Sequence, residues 1–255
     1  MLPDPDDVEG HVLTDCEGRP LARTRLRRDE GVAGRTRLLS GVAPADAAVQ
    51  ARIELAGLRL ATTDPALADA IVATGVPVHR VAVDMLHDLA VLPSPTPLPP
   101  GWTLSAGGWD ADLRAAVEEA YGSGHVDGPW TEKDTAEVAG MYETGAPLRP
   151  LAAATATVLD RAGRRAGHIL CAGPVPWADE GAWILTFGLA DRAQGQGLGS
   201  ALLRHALRGT HKAGQPCLGL SVTEGNQAWR LYDAAGFRMV SRVYSLRLPP
   251  AAATD

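Results

Sequence analysis

A glycine-rich turn between a strand-like run and a helical pattern constrains this chain more than any other feature. Residues 194–199 read Gln-Gly-Gln-Gly-Leu-Gly, after the apolar run 183–190 and before a helical pattern that begins near Leu198. A helix that starts in this way directs the unpaired N–H groups of its first turn outward, and its dipole adds partial positive charge. Glycines at 195, 197 and 199 keep Cβ atoms away, so the backbone can approach an anion. The sequence therefore predicts a site for a phosphorylated cofactor.

Two common phosphate motifs fit this turn poorly. A P-loop requires Gly-x-x-x-x-Gly-Lys-Ser/Thr, and no Lys follows Gly199. A Rossmann fingerprint requires Gly-x-Gly-x-x-Gly, but Ser200 stands where the last glycine belongs. That fingerprint also opens a long βαβ repeat, and too little chain follows the turn to complete one. A nucleotide-dependent oxidoreductase is therefore disfavoured.

A second motif follows the turn. Residues 226–237 read Asn-Gln-Ala-Trp-Arg-Leu-Tyr-Asp-Ala-Ala-Gly-Phe. The turn resembles the Gln-x-x-Gly-x-Gly pyrophosphate loop of the GNAT superfamily of acyl-CoA-dependent N-acyltransferases. The second motif resembles that family's Asn-x-x-Ala-x-x-Leu-Tyr-x-x-x-Gly-Phe segment. Because the two motifs occur in the family's order, the resemblance extends over about residues 100–248.

The resemblance implies an α/β GNAT fold, in which helices flank a mixed, mostly antiparallel, twisted sheet. It implies acetyl-CoA as co-substrate, with Tyr232 as the general acid that protonates the CoA thiolate. It also implies that the backbone of the strand before the loop pairs with pantetheine and faces the thioester oxygen. The cofactor-binding residues that it implies are Phe187, Leu189, Gln194, Gly195, Gln196, Gly197, Leu198, Gly199, Ser200 and Asn226.

Several of these residues have a structural alternative. The loop could be a packing turn without a ligand. Tyr232 could be a core aromatic, because Ala228, Leu231, Tyr232 and Ala235 share one helical stripe. Asn226 is also a good helix N-cap.

The general base stays open. His125 and Asp127 lie in a glycine-rich segment where the family places acceptor contacts, Glu180 and Glu224 are weaker candidates, and a water chain is a further possibility. We expect surface or helix-end roles for His205 and His211.

A proline-rich segment at residues 92–100 divides the sequence. We interpret residues 1–91 as a smaller, degenerate GNAT-like domain, 92–100 as a linker, 101–248 as the catalytic acetyltransferase domain and 249–255 as a tail. Residues 57–75 echo residues 219–236, since both predict a strand, a polar cap, a helix and a glycine. Asp64 followed by Pro65 predicts the N-cap and the first turn of the earlier helix. The first half lacks the glycine-rich loop, and Ala70 and Ile71 occupy the place of the Tyr. An unrelated α/β cap remains the alternative.

The second half predicts elements in the order βααβββαβαβ. A capping box at residues 131–134 opens its second helix. We expect strands at 102–106, 151–159, 166–172, 183–190, 217–222 and 238–248, and helices at 111–120, from 131, at 198–212 and at 227–235.

Composition narrows the function classes. The 255 residues are 45% hydrophobic and carry a net charge of −6, so we expect neither a nucleic-acid partner nor a membrane. Cys16, Cys171 and Cys217 are scattered and odd in number, which argues against a disulfide framework and favours a reducing cytoplasm. The His residues show no metal-ligand spacing.

The sequence thus predicts a cytoplasmic N-acetyltransferase without a metal. We expect it to transfer the acetyl group of acetyl-CoA to a primary amine of a small molecule or peptide by direct attack in a ternary complex. No motif indicates a nucleophilic Cys or Ser. The alternative is a non-catalytic CoA-binding module with a role in partner recognition. The acceptor, the acyl-chain preference and the oligomeric state stay open.

Overall fold

The computed structural model describes residues 1–3, 10–27, 31–95, 97–175 and 181–251. The chain forms two compact units: unit 1 comprises residues 1–83 and 241–255, and unit 2 comprises residues 84–240. These bounds differ from the domains predicted at residues 1–91 and 101–248, because the end of the chain belongs to unit 1. The division of function between the two predicted domains stays a prediction.

Unit 1 has a mixed sheet with two helices. Its strand order is β1-β2-β3-β4-β5-β12, in which β4 and β5 are parallel and the other neighbours are antiparallel. The elements are β1 (Leu2–Pro3), β2 (Gly10–Thr14), β3 (Pro20–Arg27), β4 (Val32–Leu38), α1 (Pro44–Glu54), β5 (Arg59–Thr62), α2 (Pro65–Ala73), the first part of β6 (Val78–His87) and the last part of β12 (Arg238–Arg247).

The helices of unit 1 form where the sequence indicates them. Asp64 accepts hydrogen bonds from the N–H groups of Ala66 and Leu67, and Pro65 occupies the first turn of α2, as predicted. Leu67 and Ile71 are fully buried in the core of this unit together with Leu60 of β5. The apolar face of α2 therefore holds the helix on the sheet.

Unit 2 contains the motifs found in the sequence. Its strand order is β6-β11-β10-β9-β8-β7; β10 and β11 are parallel, and the pairs from β10 to β7 are antiparallel. Its further elements are β7 (Thr103–Ala106), α3 (Ala111–Ala120), α4 (Glu132–Thr144), β8 (Ala156–Leu159), β9 (Arg165–Ala172), β10 (Ala182–Leu189), a 3₁₀ turn (Asp191–Ala193), α5 (Leu198–Lys212), β11 (Leu218–Thr223) and α6 (Trp229–Ala234). The predicted fold class, a mixed and mostly antiparallel sheet flanked by helices, is confirmed.

Local sequence signals account for the helix starts in unit 2. The capping box predicted at the start of α4 is present: Thr131 and Asp134 satisfy each other's backbone N–H groups. Asp110 caps α3 by accepting a hydrogen bond from the N–H of Leu113. Among the described helices, none combines the length and the apolar character needed to cross a membrane.

One predicted strand is wrong at its start. The strand predicted at 151–159 begins only at Ala156, because the N–H groups of Ala154 and Thr155 both donate to the carbonyl of Leu151 and close a turn. Helix α5 packs against this turn at Gly209, where a Cβ would lie 1.8 Å from the carbonyl oxygen of Ala153.

Asn226 is not the N-cap of α6. The helix begins at Trp229, and its N-cap residue is Ala228. The Asn226 side chain instead accepts a 2.9 Å hydrogen bond from the N–H of Ala228, so it stabilises the turn before the helix.

The two units have the same order of strands and helices. In each half of the sequence, the strand that completes this order has its last residues in the other unit. In unit 1 the order β2-β3-β4-β5 carries α1 before β5 and α2 after it; in unit 2 the order β8-β9-β10-β11 carries α5 and α6 in the same places. The strand after α2 is β6, whose residues 84–87 belong to unit 2, and Leu86 packs there against Gly219 of β11. The strand after α6 is β12, whose residues 244–247 pair with β5 of unit 1. A GNAT-like origin of residues 1–91 stays a prediction.

The predicted tail at 249–255 is attached at its first residue. The carbonyl of Pro249 accepts a 2.9 Å hydrogen bond from the N–H of Gly57 in unit 1. Residues 252–255 lie outside the described part of the chain.

Candidate active site

A cleft opens in unit 2 where β10 and β11 separate. The two strands pair at Ala182 with Leu218 and at Trp183 with Gly219, where the described parallel pairing ends. A register shift against β9 between Ile184 and Thr186 then bends β10. The resulting cleft has a volume of about 350 Å³. It is lined by Ala120, Tyr121, His125, Asp127, Ile184, Leu185, Thr186, Phe187, Gly188, Leu189, Gln194, Gly199, Leu220, Ser221, Val222, Asn226, Gln227, Ala228, Leu231 and Tyr232.

Phe187 and Leu189 present backbone groups to the open edge of β10. The Phe187 carbonyl accepts a hydrogen bond from the Tyr121 hydroxyl at 3.4 Å, and the Leu189 carbonyl accepts one from Gln194 Nε2 at 3.1 Å. In an antiparallel ladder the N–H and C=O of one residue point to the same edge. The N–H groups of Phe187 and Leu189 therefore point away from β9 and toward the cleft, where they are available to a ligand.

The loop after β10 has the backbone geometry of an anion site. Gly195 and Gly197 adopt left-handed φ values of 71° and 78°, and Gly197 is the N-cap residue of α5. No atom lies within 4 Å of the position that a Cβ would take at either glycine. In the described part of the chain, the N–H groups of Leu198, Gly199 and Ser200 have no protein acceptor. Helix α5 thus begins with open donors.

The two glutamines fix this loop. Gln194 Nε2 donates to the Leu189 carbonyl and, at 3.0 Å, to Asp191 Oδ1. Gln196 Nε2 donates to the Arg192 carbonyl at 2.7 Å, and its Oε1 accepts from Trp102 Nε1 at 3.0 Å. Both side chains therefore bond to protein groups.

Tyr232 lines the cleft from α6 and is 7% exposed. Its ring centroid lies 6.2 Å from that of Phe187 and 6.0 Å from that of Phe237, so it also contributes to the core. Burial raises the pKa of its phenol, and the charges of Tyr121 and Asp127 add to the rise. The group stays protonated at neutral pH, as a proton donor must.

Asn226 also lines the cleft. The family's segment separates its Asn and Ala by three positions, whereas Asn226 and Ala228 are two apart. The match at Asn226 is therefore one residue out of register, which weakens the transfer of a pantetheine contact to this side chain.

Sequence reasoning missed Tyr121. It follows α3 directly and lines the cleft opposite Tyr232, and burial raises the pKa of its phenol. Its ring lies 4.5 Å from that of His125 and 5.1 Å from that of Trp130. The sequence feature that could have indicated Tyr121 is an aromatic residue directly before the glycine-rich segment that holds His125.

The structure brings His125 and Asp127 together at the cleft. Asp127 Oδ2 lies 3.7 Å from His125 Nδ1, and the Asp127 N–H donates to the same nitrogen at 3.2 Å. The Thr223 hydroxyl donates to Asp127 Oδ1. Glu224 is not among the lining residues, and Glu180 lies outside the described residues.

A buried polar chain supports the wall of the cleft. His168 on β9 is fully buried; Nδ1 lies 3.3 Å from the Tyr142 hydroxyl and Nε2 lies 3.3 Å from Thr186 Oγ1. Thr186 in turn hydrogen-bonds the side chain of Tyr121. Burial lowers the pKa of His168 to about 3, so the imidazole is neutral.

The remaining histidines named from the sequence lie away from the cleft. His205 is half-buried on α5, and burial lowers its pKa; His211 is exposed in the last turn of α5. Among the described residues, no group of three or more His, Cys, Asp or Glu side chains could hold a metal ion.

A family model matches the part of the chain that holds the cleft. The family model described as the acetyltransferase (GNAT) family matches residues 114–237, which contain the cleft, the loop and α6. Residues 114–237 form a GNAT acetyltransferase domain. A comparison with curated proteins finds no match.

Solved structures share the fold over most of the chain. A GCN5-related N-acetyltransferase from Sphaerobacter thermophilus has a TM-score of 0.66 at 20% identity, covering 95% of this chain and 82% of that one. A GCN5-related N-acetyltransferase from Kribbella flavida has a TM-score of 0.59 at 17% identity, covering 91% and 88%. A tandem GNAT protein from the clavulanic acid biosynthesis pathway has a TM-score of 0.52 at 17% identity, covering 93% and 82%.

Proposed function

We propose that this protein transfers the acetyl group of acetyl-CoA to a primary amine by direct attack within a ternary complex. The observation that carries the proposal is the separation of β10 and β11, because it puts a loop of open N–H donors, an exposed strand edge and a buried phenol around one cleft. The GNAT family of residues 114–237 supports the same chemistry.

Each part of the cleft has one task in this reaction. The N–H groups at the start of α5 and the backbone of Gly195, Gln196 and Gly197 would bind the pyrophosphate. The backbone of β10 at Phe187 and Leu189 would pair with the pantetheine arm, and one N–H there would stabilise negative charge on the thioester oxygen. Gln194 and Gln196 would hold the loop in shape.

The bonds and protons balance within the ternary complex. The amine nitrogen forms the C–N bond as the C–S bond breaks; the nitrogen loses one proton and the sulfur gains one. Tyr232 would donate the proton to the thiolate, since a thiol near pKa 8.5 can accept it from a phenol. The phenolate then recovers a proton from solvent or from the group that deprotonates the amine.

Steady-state kinetics test the mechanism. We expect intersecting initial-rate lines when acetyl-CoA and an amine are varied together, and no release of CoA before the amine is added. Parallel lines with an early burst of CoA would instead indicate an acetyl-enzyme. The alternative, a CoA-binding module without catalysis, requires tight acetyl-CoA binding and no amide product with any amine of a broad panel.

Solved structures that match most of the chain are relevant to the role of residues 1–91. The clavulanic acid pathway protein is described as a tandem GNAT protein, and its likeness to this chain spans both units. We infer that residues 1–91 are a degenerate GNAT-like half. In unit 1 the parallel pairing of β4 and β5 continues to Thr36 and Thr62, and the Thr62 hydroxyl donates to the Thr36 carbonyl at 2.6 Å. No strand separation comparable to that of β10 and β11 occurs at this place, which supports a structural role for this half.

A further inference from the structure

Among the described residues that line the cleft, one carries a carboxylate. Asp127 is the single Asp or Glu among its lining residues, and none of them is Lys or Arg. The donor end of the cleft does not require a cation, because backbone N–H groups at the start of α5 are available to phosphate.

Asp127 is held in place but remains accessible. The Thr223 hydroxyl donates to Oδ1, while Oδ2 lies 3.7 Å from His125 Nδ1. The side chain of Asp127 is 26% exposed. The ring of Tyr121 packs on that of His125, so aromatic faces stand beside the carboxylate. A carboxylate with aromatic neighbours is a suitable environment for an organic cation.

Asp127 lines the same cleft as the two phenols, Tyr121 and Tyr232. Burial raises the pKa of both cleft phenols, Tyr121 and Tyr232, and the charge of Asp127 contributes to both shifts.

We propose that the acceptor is an aliphatic amine that enters as an alkylammonium ion, is recognised by the Asp127 carboxylate beside Tyr121 and His125, and loses one proton to solvent before its nitrogen attacks the thioester. This inference rests on the proposed function. An amine with a carboxylate on the adjacent carbon would bring a second negative charge toward Asp127, and none of the described lining residues is a Lys or Arg that could compensate. The cleft therefore selects amines without an α-carboxylate over free α-amino acids.

Matched amines test whether the charge of the acceptor decides its recognition by Asp127. Phenethylamine and phenylalanine differ in the α-carboxylate, and p-toluidine is a primary amine that is neutral at pH 7. Each is measured with the wild-type chain, with Asp127→Asn and with Asp127→Glu, which keeps the charge. Asp112→Asn, at an exposed site in the first turn of α3, is the control for removal of one carboxylate outside the cleft.

Two readouts separate recognition from transfer. Calorimetry measures binding of phenethylammonium to the chain saturated with CoA, and amide formation from acetyl-CoA gives kcat/KM. Calorimetric titration with CoA alone verifies that each variant keeps its fold and donor site.

For Asp127→Asn we expect cation binding and kcat/KM for phenethylamine to fall by ~10- to 100-fold, and kcat/KM for p-toluidine to fall by a clearly smaller factor. The wild type prefers phenethylamine to phenylalanine by more than ~10-fold, and Asp127→Asn reduces that preference. Asp127→Glu retains part of the cation binding, and Asp112→Asn matches the wild type.

Equal losses for charged and neutral amines, or unchanged cation binding in Asp127→Asn, would overturn the assignment. If the wild type binds the cation through Asp127 and yet forms no amide, the recognition site stands and the proposed acetyl transfer fails.

Discussion

Tyr232 contributes both to the packing of the core and to the proposed chemistry of the cleft. Its ring lies between those of Phe187 and Phe237, and its phenol belongs to a cleft whose surroundings raise its pKa. Phenylalanine would satisfy the packing without the chemistry. The two roles can therefore be separated by removing one oxygen atom.

We expect Tyr232→Phe to retain acetyl-CoA affinity within a few-fold and to lower kcat by about 10²- to 10⁴-fold, the usual contribution of a positioned acid. The free energy of unfolding should fall by no more than about 1 kcal/mol. Calorimetry, thermal melting and turnover measure the three quantities. A variant with full turnover from about pH 6 to 9 would make Tyr232 a core aromatic only.

His168 should make stability depend on pH. Its pKa is about 3 in the folded chain, against about 6.5 for an unfolded histidine. Between these values the unfolded chain binds the proton and the folded chain does not. Between about pH 3 and 6.5 the free energy of unfolding therefore rises with pH by up to about 1.4 kcal/mol per unit. This contribution of His168 is lost as the pH falls from about 6.5 toward 3.

Urea unfolding from about pH 4.5 to 7.5 should show a shallower slope for His168→Gln than for the wild type. Part of the slope will remain, because burial also lowers the pKa of His87 and His205. Identical slopes would show that His168 does not carry the proton linkage.

At the scale of elements, the loop and α5 depend on backbone conformation more than on side chains. Gly197 combines a left-handed φ with the N-cap position, and both features place the N–H groups of the following turn in the open. The two glutamines that precede it, Gln194 and Gln196, form hydrogen bonds with Leu189, Asp191, Arg192 and Trp102. The site is therefore sensitive to charge introduced at Gly197.

Gly197→Glu should abolish CoA binding, because its carboxylate would occupy the anion site. Gly197→Ala is the matched control, since it carries the same left-handed strain, about 1–2 kcal/mol, without the charge. We expect Ala to weaken CoA binding moderately and Glu to remove it, as measured by calorimetry. Equal affinities for the two variants would contradict pyrophosphate binding at this loop.

The elements that the sequence predicted well are those with strong local signals. The cap at Asp64, the capping box at Thr131 and the glycine before α5 fix their helix starts, so α2, α4 and α5 begin where expected. The strand expected from Leu151 is shortened by a turn at its start, against which Gly209 of α5 packs. No local sequence pattern indicates this tertiary contact. Tyr121 was missed for the same reason, because its place depends on where β10 bends.

Across the whole molecule, sequence order and compact units do not coincide. Residues 84–87 follow α2 but belong to unit 2, and residues 241–247 follow α6 but belong to unit 1. Each sheet therefore includes a strand end from the other half of the sequence. The proline-rich segment suggested a simple boundary, and the exchange was not predictable because hydrophobic periodicity does not specify which strand pairs with which.

Cleavage within the proline-rich segment should leave the two fragments associated. A protease site inserted near Ser94 would separate β6 from β12 in the sequence, while each sheet keeps the strand end that it receives. We expect co-elution of the fragments on native size exclusion and CoA binding close to that of the intact chain.

A fragment that begins at residue 92 lacks the strand end at Leu86, so the edge of β11 is uncovered and the fragment should aggregate. Separate elution of the cleaved fragments without denaturant, or a soluble and CoA-binding 92–255 fragment, would contradict the exchange.

The exchanged strands also set the order in which a newly made chain can mature. Most of unit 1 leaves the ribosome before unit 2, yet one edge of β5 lacks its partner until residues 244–247 have emerged. The unit translated first is thus the last to close, and the open edge of β5 is exposed to chaperones and to neighbouring nascent chains throughout synthesis of the acetyltransferase domain.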